Sequence, residues 1–240
     1  MSKQLIVLIT GANRGLGLAL TRAYLDRGER VAATTRHLGK SPELHQLKET
    51  YRDDLLILRA DVGLGRSVNT AAEDATLHLP RLDVLINNAG IAPGKPDQGL
   101  ESLELSQVRD AMDTNALGAL RTTRAFLPLL LKSRQPRVVN VSSGAGSLSK
   151  NPIETPNYAY CGSKAALNMF TRIMAREFRP QGLSIVAMTP GWVRTDMGGP
   201  DAELDANAVA GEMLESIDNL TIEQTSLFLD RHGKESEYAW

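Results

Sequence analysis

Two hydrophobic rhythms alternate along this chain. Short runs dense in Leu, Ile and Val stand at Leu5–Thr10, Arg30–Thr35, Leu55–Asp61, Val84–Asn87, Arg137–Ser142, Ser184–Thr189 and Ser226–Leu229. The inner runs are apolar at nearly every position, as strands covered on both faces are. Between them lie longer stretches with helical spacing: Leu16–Arg27, Pro42–Tyr51, Arg66–Leu79, Ser106–Lys132, Tyr158–Phe178 and Ala206–Ile217. Gly28 and Gly182 stand where two of these helices should stop. Such alternation with short connections predicts right-handed crossovers and a parallel sheet. The predicted class is therefore α/β: one doubly wound domain over residues 1–240, with a mostly parallel seven-stranded sheet and helices on both faces. No linker, repeat or low-complexity stretch divides it. Two irregular segments, Ile91–Glu101 and Gly198–Asp205, follow strands and should border the crevice at the strand carboxyl ends.

The first strand runs directly into Thr10-Gly11-Ala12-Asn13-Arg14-Gly15-Leu16-Gly17, and an amphipathic helix opens from it. Glycines let the backbone turn tightly and approach a ligand, and the helix start offers free N–H groups to a phosphate. The spacing G-x-x-x-G-x-G lacks the Gly-Lys-Ser/Thr ending of a nucleotide-hydrolysing loop. A connection made only for packing is the competing reading of the turn. A dinucleotide fold that takes NAD carries an acidic residue about 20 positions past the glycines, for the ribose 2′-hydroxyl. The equivalent zone here is Thr34-Thr35-Arg36, with no acid. Arg36 and Arg14 together would clamp a 2′-phosphate, so the pattern favours NADPH over NADH.

Further along, Tyr160 and Lys164 are four residues apart, which puts a phenol and an ammonium on one helix face. A free phenol, with a pKa of about 10, is a poor acid at neutral pH. A neighbouring cation favours the phenolate and makes the group usable for proton transfer. By itself the pair reads as an ordinary surface contact; together with the turn it suggests hydride from a nicotinamide and a proton from tyrosine.

Composition narrows the partners. The net charge is −1, so no basic field advertises nucleic acid or an anionic membrane. No window approaches the roughly 18 apolar residues of a spanning helix, and the amino terminus has no signal-peptide pattern. The single cysteine, Cys161, rules out an internal disulfide framework. Scattered His37, His45, His78 and His232 form no metal-ligand pattern. The expectation is a cytoplasmic protein without a metal.

The ordered set Thr10–Gly17, Asp61-Val62, Asn87-Asn88-Ala89-Gly90, Asn115, Ser142-Ser143, Tyr160-x-x-x-Lys164 and Pro190-Gly191-Trp192-Val193-Arg194-Thr195 resembles the short-chain dehydrogenase/reductase family along the whole chain. The Ser143–Ser147 run, the Trp192–Gly199 segment and the ending Gly233…Tyr238-Ala239-Trp240 resemble its carbonyl-reductase branch, which includes sniffer and C-factor proteins. The resemblance implies a Rossmann fold and a role for each matching residue. Gly11, Asn13, Arg14, Gly15, Leu16 and Gly17 would hold the pyrophosphate and adenosine, and Asp61 and Val62 the adenine. Asn88, Ala89 and Gly90 would close over the adenine-side ribose. Pro190, Val193 and Thr195 would hold the nicotinamide carboxamide. Ser143 would polarise a substrate carbonyl, and Tyr160 would protonate it. Lys164 would bind the nicotinamide ribose and lower the tyrosine pKa. Asn115 would anchor a proton-relay water.

Ser143 and Tyr160 are 17 residues apart, more than in the plainest members of the family, so Gly144–Asn157 should form a loop beside the substrate. Ser142 and Ser147 are alternatives for the serine role. Trp192 either packs in the core or lines the substrate pocket. The family commonly pairs through the two long helices, which implies a homodimer, although its branch also contains monomers. Three functions remain open at this point: an NADPH-dependent reductase of aldehydes, ketones or quinones; an NADP(H)-binding sensor or signalling protein with weak turnover; and an NAD-dependent alcohol dehydrogenase.

Overall fold

A computed structural model describes residues 4–94, 99–154, 156–238 and 240. Residues 95–98 of the Ile91–Glu101 segment, and Thr155 and Ala239, lie outside the described residues. Seven strands, β1 (Ile6–Ile9), β2 (Arg30–Thr35), β3 (Leu55–Arg59), β4 (Val84–Asn87), β5 (Arg137–Val141), β6 (Ser184–Thr189) and β7 (Phe228–Asp230), form one sheet in the order β3-β2-β1-β4-β5-β6-β7. Every pairing is parallel. Strand order reverses between β1 and β4, which opens a crevice at their carboxyl ends.

The apolar runs explain why both faces are covered. Successive strand residues point to opposite sides. Val7 and Ile9 face a core built with Leu20 and Tyr24 of α1 (Gly15–Asp26), Leu44 of α2 (Pro42–Tyr51) and Met213 of α7 (Ala206–Asp218). Ile6 and Leu8 face the other core, with Val68 of α3 (Gly65–His78), Phe126 of α5 (Leu117–Leu130) and Met174 of α6 (Tyr158–Phe178). Among the described residues no helix is long and apolar enough to cross a membrane. On α6, Met169 and Ile173, one turn apart, are exposed.

Two elements differ from the sequence expectation. The stretch expected as one helix over Ser106–Lys132 is α4 (Leu105–Ala111), a π-helical turn at Met112–Ala116, and then α5. A π turn adds a residue to the winding, and such turns are often found at functional sites. This one rotates Asn115 into the protein, where its amide is captured from two sides. The last strand begins at Phe228 rather than Ser226, because Ser226 adopts a left-handed conformation with φ 72° that a strand does not accept.

A buried polar ladder fixes α5 and α6 on the sheet. Asn87 and Asn140 are register partners in β4 and β5. Asn87 Nδ2 donates to Asn140 Oδ1 at 2.8 Å and to Thr123 Oγ1 on α5 at 3.1 Å. Asn140 Nδ2 donates to Thr171 Oγ1 on α6 at 2.8 Å. Buried amides need such partners, since an orphaned donor costs its full desolvation. Asn140→Ala is therefore expected to lower unfolding free energy by roughly 1–3 kcal/mol. Urea unfolding should show a lower midpoint at unchanged slope; an unchanged midpoint would mean that the ladder does not hold the helices.

Candidate active site

The glycine turn is stitched to the end of β4. Thr10 Oγ1 accepts from the backbone N–H groups of Asn88 and Ala89, each at 3.0 Å. Asn88 Nδ2 donates to the carbonyls of Thr10 at 2.9 Å and Gly11 at 3.3 Å. Asn88 is thus a builder of the turn, with its amide spent on backbone. A β-carbon at residue 17 would lie 2.4 Å from the Gly11 oxygen and 2.5 Å from Asn88 Nδ2. One at residue 11 would lie 2.9 Å from the Ala89 Cα, where φ is already 65°. Both positions therefore require glycine.

No side chain caps the start of α1, which leaves its first N–H groups to a ligand. This cradle suits a pyrophosphate. Leu16 is buried in the core, so only its backbone faces the turn. Asn13 is partly exposed in the turn and Gly15 opens the helix. At the end of β3, Asp61 Oδ1 accepts from Gly63 N–H at 3.0 Å, and buried Val62 packs against Gly118.

Arg14 and Arg36 are held differently. Arg14 Nη1 donates to Asp196 Oδ2 at 2.6 Å, an exposed pair joining the turn to the segment after β6. A carboxylate 182 residues away competes for that guanidinium. Arg36 is exposed just past β2 and carries no ion pair among the described residues, which leaves it as the available cation.

The segment after β6 folds onto itself and onto the turn. Thr195 Oγ1 accepts from Gly198 N–H at 3.2 Å, and its methyl abuts Gly15. Val193 is buried and Pro190 partly buried. Trp192 donates from Nε1 to the Gly198 carbonyl at 2.8 Å, yet its ring is 56% exposed, so it is not a core residue.

Tyr160 and Lys164 stand on α6 as the spacing predicts. Asn157 caps that helix, its side chain accepting from Tyr160 N–H at 3.2 Å. Ser143 lies past β5, beside the Tyr160 phenol and near enough to pull its pKa down, and its Oγ accepts from Ala145 N–H at 3.2 Å. The other serines are engaged elsewhere: Ser142 Oγ donates to Asn168 Oδ1 at 2.5 Å, and Ser147 Oγ accepts from Lys150 N–H at 3.0 Å. Lys164 is buried, with Nζ donating to the Val141 carbonyl at 2.8 Å and lying 5.7 Å from the Tyr160 ring centre. Gly90 sits against Asn115 and Lys164, so the end of β4 reaches from the turn to the lysine.

One expectation is corrected here. Lys164 does not lower the phenol in this structure. Burial pushes the Tyr160 pKa up, the Ser143 hydrogen bond pulls it partly back, and Cys161 adds to the rise. Burial also brings Lys164 down to about 8, because a low-dielectric site disfavours the charged form. Asn115, in turn, uses its amide on protein. Its Oδ1 accepts from Ile91 N–H at 2.8 Å, and Nδ2 donates to the Ile91 carbonyl at 2.8 Å and to Ser163 Oγ at 2.9 Å. Both amide hydrogens are thus taken by protein. Ser163 was missed by sequence reasoning; its place three residues after Tyr160 is the only signal, and its hydroxyl donates to the Tyr160 carbonyl at 2.8 Å.

Gly17→Ala should dismantle the turn. The expected result is a loss of roughly 1–3 kcal/mol in urea unfolding, by overpacking, together with loss of dinucleotide binding in a fluorescence titration. Wild-type affinity in the variant would show that the close approach at Gly11 and Asn88 is not needed.

A family model for short chain dehydrogenase matches residues 5–205. The C-signal protein of Myxococcus xanthus is 44% identical over 154 residues, 64% of this chain and 91% of that one. The NADPH-bound carbonyl reductase from chicken fatty liver has a TM-score of 0.91 and 32% identity, over 99% of this chain and 100% of that one. The carbonyl reductase Sniffer of D. melanogaster has a TM-score of 0.91 and 31% identity, over 99% and 100%. The chain therefore belongs to the short-chain dehydrogenase family of oxidoreductases.

Proposed function

We propose that this protein is an NADPH-dependent carbonyl reductase that converts an aldehyde, ketone or quinone to its alcohol, with Tyr160 as proton donor. The observation that carries the reading is the placement of Ser143 beside the Tyr160 phenol, next to buried Lys164. Two hydroxyls placed side by side can meet one carbonyl oxygen. Bound NADPH would supply the hydride for the carbonyl carbon.

The chain's own residues account for the rest. As negative charge grows on the carbonyl oxygen, Ser143 and Tyr160 donate to it, and one such donor is typically worth about 2.7–4 kcal/mol in the barrier. Tyr160 then gives up its proton. Its raised pKa keeps it protonated until the oxygen becomes the stronger base. Lys164, one helical turn away, is buried beside the phenol with Nζ 5.7 Å from its ring centre and donating to the Val141 carbonyl. Asn115, through Ile91 and Ser163, holds α6 and the end of β4 in register around that event. Arg36, at the end of β2, is suited to the 2′-phosphate that separates NADPH from NADH. Similarity to the carbonyl reductases of chicken and fly supports the same substrate class. Similarity to the C-signal protein supports the signalling reading, but a sensor has no use for a complete Ser143–Tyr160–Lys164 set.

The test is NADPH oxidation at 340 nm against an o-quinone, an aldehyde and a diketone. Turnover is expected, and Tyr160→Phe should lower it by about 10²-fold or more while NADPH affinity stays near wild type. Tight binding without turnover across the panel would replace the reductase with a sensor. Arg36→Ala should weaken NADPH by roughly tenfold or more with NADH little changed, as expected for loss of a charge-assisted hydrogen bond. An equal loss for both would remove Arg36 from 2′-phosphate recognition.

A further inference from the structure

The carboxyl-terminal segment lies against the catalytic serine's own turn. Gly144–Gly146, which directly follows Ser143, is a tight 3-10 turn with all three residues buried. It is pressed from two sides. A β-carbon at residue 146 would lie 2.7 Å from the Lys164 carbonyl carbon, so that glycine rests on the backbone of α6. One at residue 144 would lie 2.8–2.9 Å from three ring carbons of Tyr238, so this glycine rests flat on a phenol ring. The clearance on both sides admits hydrogen alone.

Tyr238 is itself held. Upstream, Glu235 bridges to Leu229, and Ser236 N–H donates to the Phe228 carbonyl at 2.8 Å, extending the sheet edge. Beside it, Lys150 pairs with Glu237 at 2.9 Å, tying the Gly144–Asn157 loop to the tail. Downstream, the Trp240 ring lies 5.5 Å from Phe228 and 5.5 Å from the Arg172 guanidinium of α6. The ring is therefore anchored to β7, to the loop and to α6. Its hydroxyl makes no hydrogen bond among the described residues, which leaves packing as what the side chain contributes.

We propose that Tyr238 is a positioning residue: its ring backs Gly144 and so fixes the Ser143 hydroxyl against the Tyr160 phenol. It touches no reacting atom. The inference rests on the carbonyl-reductase reading for its catalytic consequence, but not for its geometry. A hydroxyl displaced by about 1 Å is enough to cost a large factor in rate, about 10²-fold at the extreme. Tyr238→Phe keeps the ring and should behave as wild type. Tyr238→Ala removes the backing. Gly144→Ala pushes the turn off the ring from the other side and should have the same effect.

The experiment reads the Ser143–Tyr160 contact directly, through the 13Cζ resonance of Tyr160 in tyrosine-labelled full-length protein. The shift caused by Ser143→Ala is the reference. Tyr238→Ala and Gly144→Ala should move the resonance in the same direction, Tyr238→Phe should leave it in place, and Tyr238→Ala should add nothing in a Ser143→Ala background. With a substrate from the panel, kcat should fall between about ten- and a hundredfold in Tyr238→Ala, with NADPH affinity unchanged. A Tyr160 resonance at the wild-type position in both Tyr238→Ala and Gly144→Ala would overturn the proposal. Absence of turnover in the wild type would instead overturn the reductase reading, with the resonance comparison still deciding the role of Tyr238.

Discussion

Lys164 is the constraint around which the site is built. An ammonium has been carried into a fully enclosed position and given one backbone acceptor, the Val141 oxygen. A buried charge is tolerated only where it is hydrogen-bonded, and even then burial weakens its hold on the proton. The surroundings follow from that requirement. Gly90 and Gly146 have no side chain where one would crowd the lysine or its backbone. Tyr160 lies one turn back on the same helix, and Asn115 approaches from the π turn. With a midpoint of about 8, Lys164 is mostly charged at neutral pH yet close to giving its proton up. Raising the phenol and lowering the ammonium separates two groups whose ordinary values, 10.0 and 10.5, nearly coincide, so the proton is held more tightly on Tyr160 than on Lys164.

The fold delivers these groups to one place with few devices. Parallel strands put all their carboxyl ends on one edge, and the reversal between β1 and β4 leaves a crevice there. Thr10 and Asn88 join the glycine turn to β4. The Asn87–Asn140 ladder joins β4 and β5 to α5 and α6. Hydrogen bonds, with the covalent step from Asn88 to Asn87, thus link the glycine turn to α6, the helix that carries Tyr160. A cavity of about 700 Å³ opens elsewhere, lined by Leu5, Arg81 and Asp83. It belongs to the amino-terminal edge of the sheet, and ion pairs such as Arg81–Asp83 occupy its walls.

Much of this was legible from residue order, because it is written in local rules. Seven apolar runs became seven strands, the four-residue spacing put Tyr160 and Lys164 on one face, and Ser143, two residues past the end of β5, is the serine beside the phenol. What escaped depends on partners distant in the chain. Nothing near Asn115 announces a π turn; the reason lies at Ile91 and Ser163. The pairing of Arg14 with Asp196, 182 residues away, has no local signal. The depressed phenol inferred from a neighbouring cation failed because burial acts on both groups, and burial is a property of the whole fold. Tyr238 belongs to the same class, since only the packed structure brings residue 238 onto residue 144.

The most direct test of this account is the titration of Lys164 itself, followed by 13Cε resonances in lysine-labelled, ligand-free protein, with Lys164→Met to assign the signal. A midpoint near 8 is predicted, set by burial against the Val141 carbonyl. A midpoint at or above the ordinary 10.5 would mean that the ammonium is not desolvated. The enclosed lysine, and the site arranged around it, would then be the wrong description of this protein.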